Sequence, residues 1–211
     1  MLIAVNVIPV ELNAQDNQPQ KEIIQEHINK GIQFGEKGEF QKAISEFNEV
    51  LQLDPKNIHA YNNLGVVYYR LGNVDEVIST YTKAIDLGIA DANMYFFRGL
   101  MYGKYKNEDA KAVKDYSKAI ELNSNFTRAY LNRGFAYSFL NMPDKAIADY
   151  NKVVELNPND LKIIVELRAQ AYYKKGDYKM AWTDVEKVKE LGVTLDKKFL
   201  DKLEKASPRN H

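Results

Sequence analysis

The chain has 211 residues, of which 45% are hydrophobic and 27% are charged, and its 29 Lys and Arg residues balance 29 Asp and Glu residues. A chain with no net charge has no long-range field to attract nucleic acid or an anionic membrane. It contains no cysteine, which excludes disulfides, thiolate nucleophiles and zinc sites of the Cys type.

The first elements are an apolar stretch, LIAVNVIPV from Leu2 to Val10, and a polar segment after it. This order resembles the apolar core and mature start of an export signal, with a cleavage point after Ala14. No Lys or Arg precedes the apolar stretch, and Leu12 is a poor residue for the cleavage site. Two interpretations of residues 1–23 stay open, a residual export signal and a plain N-terminal extension, and they leave a cytoplasmic and an exported (periplasmic or extracellular) location equally open.

Small residues then recur at a fixed period, which is the strongest signal in the chain. Gly31, Gly65, Gly99 and Gly134 are 34, 34 and 35 residues apart, and Ala169 follows after another 35. The sequence around these positions repeats as well, as in YNNLGVVYYRLGN, YFFRGLMYGKYKN and YLNRGFAYSFLNM. Such a period indicates a stack of repeated supersecondary units.

Each unit has two segments with a helical pattern of apolar residues. The pattern in the second unit is carried by Tyr61, Leu64, Gly65 and Tyr68 in the first segment, and by Val77, Tyr81 and Ala84 in the second. Turns separate the segments, and Gly38, Gly72 and Gly176 suit the left-handed backbone that ends a helix. The sequence therefore predicts helical hairpins.

These hairpins resemble the tetratricopeptide repeat, whose signature is an aromatic residue, Leu-Gly, Tyr, Ala, an aromatic residue, Ala and Pro. In the fourth unit the matching residues are Tyr130, Arg133, Gly134, Tyr137, Ala146, Tyr150, Val153 and Pro158. The resemblance implies an all-α chain, a right-handed α-solenoid of five antiparallel helix hairpins over residues 24–195. The repeats fall at about 24–57, 58–91, 92–126, 127–161 and 162–195.

The repeat residues have a packing role in this interpretation. The small residues allow the two helices of a hairpin to touch, and the tyrosines fill the gaps between hairpins. The end of such a stack needs a cap. Residues 196–211 are expected to supply a capping helix and a tail, because Leu195, Phe199, Leu200 and Leu203 form one apolar face.

The sequence has few residues in patterns typical of catalysis or metal binding. His27, His59 and His211 form no metal-binding pair, and none has an evident carboxylate partner in the sequence. Acidic residues such as Asp115, with Lys111 four positions away, follow the pattern of a solvated helix face. We therefore expect no catalytic residue, no metal site and no cofactor, and the chain is not expected to be an enzyme.

The resemblance also implies a groove, because the first helices of tetratricopeptide repeats line a concave face. Carried over by position, the lining residues are Asn62, Asn63, Tyr69, Phe96, Phe97, Leu100, Arg128, Leu131, Asn132, Phe135 and Tyr173. Asn63 and Asn132 occupy the same repeat position, where an amide can both donate to and accept from a peptide backbone. Apolar residues next to such amides suit a peptide or an amphipathic helix.

The leading hypothesis is thus a scaffold or adaptor that binds a peptide or helix of another protein. Two alternatives concern the groove, which residues 2–10 could fill or which could mediate self-association in a structural or regulatory subunit. A further alternative is RNA binding, because pentatricopeptide hairpins have a similar length and read one base per repeat. The spacing of mostly 34 residues and the zero net charge disfavour it, and no transmembrane span is expected.

Overall fold

The computed structural model describes residues 18–157, 162–192 and 194–208, and over these residues the chain is all-α. Its helices are α1 Gln18–Glu36, α2 Phe40–Leu53, α3 Ile58–Arg70, α4 Val74–Asp86, α5 Ala92–Lys106, α6 Asp109–Leu122, α7 Thr127–Phe139, α8 Pro143–Leu156, α9 Lys162–Lys175, α10 Tyr178–Glu190 and α11 Lys197–Ala206. The prediction of an all-α chain of short paired helices is confirmed. The export-signal interpretation of Leu2–Val10, Pro158 and the end of the tail lie outside the described residues.

Two compact units make up the chain, residues 1–73 and residues 74–211. In the first unit, α1 packs on α2 and α2 packs on α3. Helix α1 begins at Gln18, ahead of the predicted start of the first repeat at residue 24. A side chain at Gly31 would place its Cβ 2.6 Å from Cε1 of Phe47, which explains why this crossing of α1 and α2 requires glycine.

In the second unit each helix from α4 to α11 packs on the next one along the chain. The crossing of α7 and α8 is as tight as that of α1 and α2, because a Cβ at Gly134 would lie 2.6 Å from the ring of Tyr150. Tyr150 is fully buried, and burial raises the pKa of its hydroxyl to about 12. The turn between α9 and α10 contains Gly176 at φ +84°, as its predicted left-handed backbone requires.

Three buried ion pairs recur through this second unit and were not predicted. In each, an Arg of a first helix donates two hydrogen bonds, of 2.7 and 2.8 Å, to both carboxylate oxygens of an Asp on the following helix. The pairs are Arg98–Asp115, Arg133–Asp149 and Arg168–Asp184. Two parallel hydrogen bonds to a charged acceptor fix both the distance and the orientation of the helices.

Each of these arginines also reaches the second helix of the preceding repeat. Nη1 of Arg98 donates to Thr82 Oγ1 at 3.0 Å, and Nη1 of Arg133 donates to Ser117 Oγ at 3.0 Å. Arg168 does the same to Asn151 Oδ1, at 2.7 Å. One guanidinium therefore joins three consecutive helices, which fixes one repeat against the next.

The solvent-facing interpretation of Asp115 is wrong. Its side chain is only 4% exposed and is fully engaged by Arg98. The nearby Lys111 pairs with Glu108 instead. The sequence was misleading because Lys111, four positions from Asp115, suggested a solvated helix face. The partner of Asp115 is Arg98, which lies on the preceding helix.

The C-terminal cap is confirmed. Helix α11 packs on α10, and Leu195, Phe199 and Leu203 join the buried core of the last repeat. The indole Nε1 of Trp182 donates to the backbone carbonyl of Ser207 at 3.0 Å, which ties the end of α11 to α10. The apolar end of the last hairpin is thereby covered.

Candidate functional site

A hollow of about 330 Å³, named here the first hollow, lies among the predicted groove residues on α5, α6 and α7. Its lining consists of Leu100, Gly103, Lys104, Asn107, Asp109, Tyr116, Asn132, Phe135, Ala136 and Phe139. The predicted residues Leu100, Asn132 and Phe135 therefore lie together, as the resemblance implies. Their neighbourhood is mostly apolar, with one carboxylate and one lysine at the edge.

Gly103 is the residue of α5 in the wall of this hollow that has no side chain. The fourth and fifth repeats carry Ser138 and Tyr173 at the same place in the first helix, whereas the third repeat has no side chain there. A Cβ at Gly103 would lie 3.3 Å from Cβ of Ala112 and 3.7 Å from the hydroxyl oxygen of Tyr116. The glycine thus lets the backbone of α5 lie close to the buried Ala112 and Tyr116 of α6.

A second hollow, of about 150 Å³, lies beside the first and shares Phe135 and Phe139 with it. The ring of Phe135 packs edge-on against Tyr150, with 6.3 Å between the centroids. Phe139 has almost no packing and is 76% exposed, more than any other large apolar side chain described. An aromatic ring exposed between two hollows is a natural contact for an apolar partner side chain.

The two asparagines that were expected to bind a peptide backbone have the same geometry. Nδ2 of Asn132 donates to the carbonyl oxygen of Arg128 at 2.8 Å, and Nδ2 of Asn63 donates to that of His59 at 2.8 Å. Each bond uses one of the two N–H groups and holds the amide in place. The amide oxygen and the second N–H remain for a ligand.

The predicted lining residues are not all in one unit. Asn62, Asn63 and Tyr69 lie on α3 of the first unit, where the two asparagines are half-buried and Tyr69 is 36% exposed. The other eight lie on α5, α7 and α9 of the second unit.

The interpretation of Phe96 as a lining residue is wrong. Phe96 is 3% exposed and packs on Phe126 and Tyr116, with ring centroids 4.9 and 5.9 Å apart. The guanidinium of Arg128 lies 5.2 Å above its ring and covers it. A large ring at this position is drawn into the gap between repeats because burial removes its apolar area from water.

Three further predicted lining residues, Phe97, Leu131 and Tyr173, are only partly available to a ligand because each also packs on other side chains. Phe97 stacks on Tyr81 with centroids 6.4 Å apart, and Leu131 packs on the core of the fourth repeat. Tyr173 packs edge-on against Phe199 of the cap, although both rings also border a hollow of about 230 Å³. These three side chains mainly stabilise the repeats.

Position-by-position carry-over missed seven of the ten residues that line the first hollow, among them Gly103, Asp109 and Phe139. The first signal was a glycine at a position where the next two repeats carry side chains. The second was a Phe at position 139, where the third and fifth repeats carry Lys104 and Lys174. Asp109 gave no signal of its own, because other second helices also carry an acidic residue in the first turn.

One histidine has a carboxylate partner that the sequence did not indicate. Nδ1 of His27 lies 2.7 Å from Oε2 of Glu46, so the expectation that His27 has no carboxylate partner is wrong. Within the ranges 18–157, 162–192 and 194–208, no three His, Asp or Glu side chains are grouped to hold a metal ion. Over the same ranges no helix is both long enough and apolar enough to span a membrane.

Curated relatives of the chain are tetratricopeptide repeat proteins. It is 32% identical to human tetratricopeptide repeat protein 6 over 114 residues, which are 54% of this chain and 22% of that protein. It is 28% identical to tetratricopeptide repeat protein 36 of Xenopus tropicalis over 134 residues, 60% of this chain and 66% of that protein. The chain therefore spans less than two thirds of the length of these relatives.

Solved structures show the same fold. The crystal structure of MamA protein matches with a TM-score of 0.70 and 25% identity over 88% of this chain and 92% of that one. The crystal structure of YrrB, described as a TPR protein with an unusual peptide-binding site, matches with a TM-score of 0.68 and 21% identity over 93% of this chain and 92% of that one.

Family models agree with these neighbours. A TPR repeat model matches residues 33–72 and 104–138, and two tetratricopeptide repeat models match residues 58–87 and 127–160. Together the matches cover more than half of the chain. The chain belongs to the tetratricopeptide repeat family.

Proposed function

We propose that the chain is a non-enzymatic scaffold that binds a peptide or an amphipathic helix of a partner protein along α5, α7 and α9. The family fold supports a role in protein–protein interaction. The finer assignment is supported by one observation above all, the exposed ring of Phe139 between two apolar hollows. YrrB, which shares the fold, is described as having a peptide-binding site.

The arrangement fits an extended peptide or a single helix better than a small metabolite. The two hollows are adjacent and mostly apolar, and both side-chain amides and single charged groups border them. An apolar partner side chain would enter beside Phe139, and its backbone would meet Asn132. On α3 of the first unit, the amide of Asn63 has the same geometry as that of Asn132. Asn62 and Tyr69 are the other two residues of α3 that we propose as partner contacts.

The test is a double substitution, Asn132→Ala with Phe139→Ala. Neither side chain belongs to the core, so helix content and melting temperature are expected to stay unchanged. A partner is isolated by affinity capture, its binding segment is mapped, and the Kd of that segment is measured by fluorescence anisotropy. Loss of two central contacts is expected to raise the Kd about tenfold or more.

The matched control is Glu155→Ala, which changes an exposed side chain on α8 away from both hollows. It is expected to leave the Kd unchanged. The proposal is wrong if the double variant binds the segment as tightly as the wild type, or if Glu155→Ala has the larger effect.

A further inference from the structure

Three hollows of the second unit join into one continuous trough. The first and second hollows share Phe135 and Phe139 of α7. The second hollow in turn shares two residues of α9 with a hollow of about 230 Å³, named here the third hollow. The third hollow is lined by Gln170, Tyr173, Lys174, Asp196, Phe199 and Lys202, of which Gln170 and Lys174 are the shared residues. The trough therefore crosses α5, α7 and α9 and ends on the cap helix α11.

The cap helix presents two different faces in this arrangement. Phe199 and Leu203 are buried in the core of the last repeat, as a cap requires. Lys202 lies at the exposed surface and lines the third hollow. Its ammonium group forms neither a hydrogen bond nor an ion pair with any other residue that the structure describes. Helix α11 thus closes the stack with one face and extends the trough with the other.

Side-chain amides in the trough favour an extended segment over a helix. Asn132 lines the first hollow, and Gln170 lines the second and third. Each amide donates one N–H within its own helix, Asn132 to the carbonyl oxygen of Arg128 and Gln170 to the carboxylate of Glu166. The amide oxygen and the second N–H remain for backbone groups of a ligand. An extended segment leaves its backbone groups free to meet them, whereas a helix bonds its own internally.

The length of the trough sets the length of the segment that can fill it. Packed helices lie about 8–10 Å apart, so the three spacings from α5 to α11 amount to about 24–30 Å. An extended chain advances about 3.3 Å per residue, so about seven to nine residues span the trough.

Charge is distributed unevenly along the trough. The first hollow has one group of each sign, Lys104 and Asp109, so its charges favour neither an acidic nor a basic occupant. Lys174 is the one charged residue among those that line the second hollow. The excess of positive charge therefore lies towards α11.

The third hollow has two lysines and one carboxylate. The carboxylate of Asp196 is already engaged, because it caps α11 by accepting the backbone N–H of Lys198 at 3.1 Å. Lys174 donates to the carbonyl oxygen of Ser138 at 2.9 Å and keeps two further N–H groups. Lys202 keeps all three. The α11 end of the trough is thus complementary to an acidic side chain.

We propose that an extended segment of the partner protein, about seven to nine residues long, lies across α5, α7, α9 and α11. Its apolar side chains occupy the first and second hollows, and an Asp or Glu side chain lies between Lys174 and Lys202. This inference rests on the proposed function and adds to it an extended conformation, an acidic position and a binding role for the cap helix.

The probe is a library of random linear peptides displayed on phage and selected on the full wild-type chain. Recovered peptides are expected to be enriched in large apolar residues with Asp or Glu to one side of them. One recovered peptide is synthesised with both ends blocked, so that only a side-chain carboxylate can contribute. Lys202→Glu is expected to raise its Kd about tenfold, because it sets like charges against each other. Replacement of the peptide's acidic residue by Lys is expected to restore binding to Lys202→Glu.

Lys205→Glu is the matched control. It makes the same charge change at an exposed position of α11 that lines none of the three hollows. It is expected to leave the Kd of the peptide unchanged.

A proline scan of the same peptide distinguishes an extended segment from a helix. Proline breaks a helix at any interior position but is compatible with an extended chain wherever its missing N–H is not needed. Some interior positions of the peptide are therefore expected to accept proline with little change in Kd.

The inference is overturned if the peptides show no acidic enrichment, if Lys202→Glu binds them as tightly as the wild type, or if every interior proline abolishes binding. Those outcomes leave the proposed function intact when Phe139→Ala still weakens binding. If no peptides are recovered, or if Phe139→Ala leaves the Kd unchanged, the proposed function fails as well.

Discussion

Asp149→Ala is expected to lower the free energy of unfolding by about 3–5 kcal/mol, because it leaves the buried guanidinium of Arg133 without its counter-ion. The side chains of Arg133 and Asp149 are 18% and 6% exposed. The rings of Tyr130 and Tyr137, with centroids 5.5 and 5.8 Å from the guanidinium, restrict its movement towards water. Urea titration followed by circular dichroism measures the loss.

Removal of both charges is expected to be far milder. Arg133→Met with Asp149→Leu replaces the pair by apolar side chains, a change that is often neutral in buried sites. Ser117, which accepts from Arg133, keeps its own hydrogen bond to the carbonyl of Val113 at 2.7 Å. If Asp149→Ala alone costs less than about 1 kcal/mol, the cost typical of an exposed pair, the guanidinium reaches water and the ion pairs do not hold the repeats together.

The control for this prediction is an exposed pair on the same helix. Lys152 and Glu155 of α8 are 2.6 Å apart at the surface, and Glu155→Ala is expected to cause no measurable change in unfolding. Comparison of the two losses of unfolding free energy separates a buried ion pair that stabilises the fold from an exposed one that does not, within a single helix.

Gly134→Ala is expected to destabilise the second unit by about 1–3 kcal/mol, although alanine is the better helix former. The added methyl would lie 2.6 Å from the ring of Tyr150. That ring is fully buried, and its hydroxyl lies 3.2 Å from Ser138 Oγ, so it has little room to move. Urea titration measures the change.

Gly35→Ala provides the matched control. This glycine also lies within a first helix, but a Cβ there would meet only Val67 at an ordinary 3.8 Å. The substitution is expected to be neutral or to stabilise by up to about 1 kcal/mol, through helix propensity alone. Equal effects at Gly134 and Gly35 would mean that the close approach of α7 and α8 does not depend on a missing side chain.

The hairpins could be predicted from the sequence because the fold needs small residues where paired helices cross. Gly31, Gly99 and Gly134 recur at that period, and each lies against a ring of the partner helix. The cap could be predicted for a similar reason, since Phe199 and Leu203 lie on one face of a short helix. These features depend on spacing within one segment, which a sequence displays directly.

Other features depend on which side chains meet between segments. Asp115 was misassigned because a lysine four positions away offered a local partner, whereas its ion pair is formed with Arg98 across a hairpin. Phe96 was misassigned because position alone does not show that Phe126, in the loop before α7, fills the same gap.

The most direct measurement of partner binding places the photoreactive residue p-benzoylphenylalanine at position 139, and in a second variant at position 155 on α8. Irradiation of the bound partner segment is expected to give a covalent adduct from position 139 and none from position 155. Adducts from position 155 alone, or equal yields from both positions, would contradict binding along α5, α7 and α9.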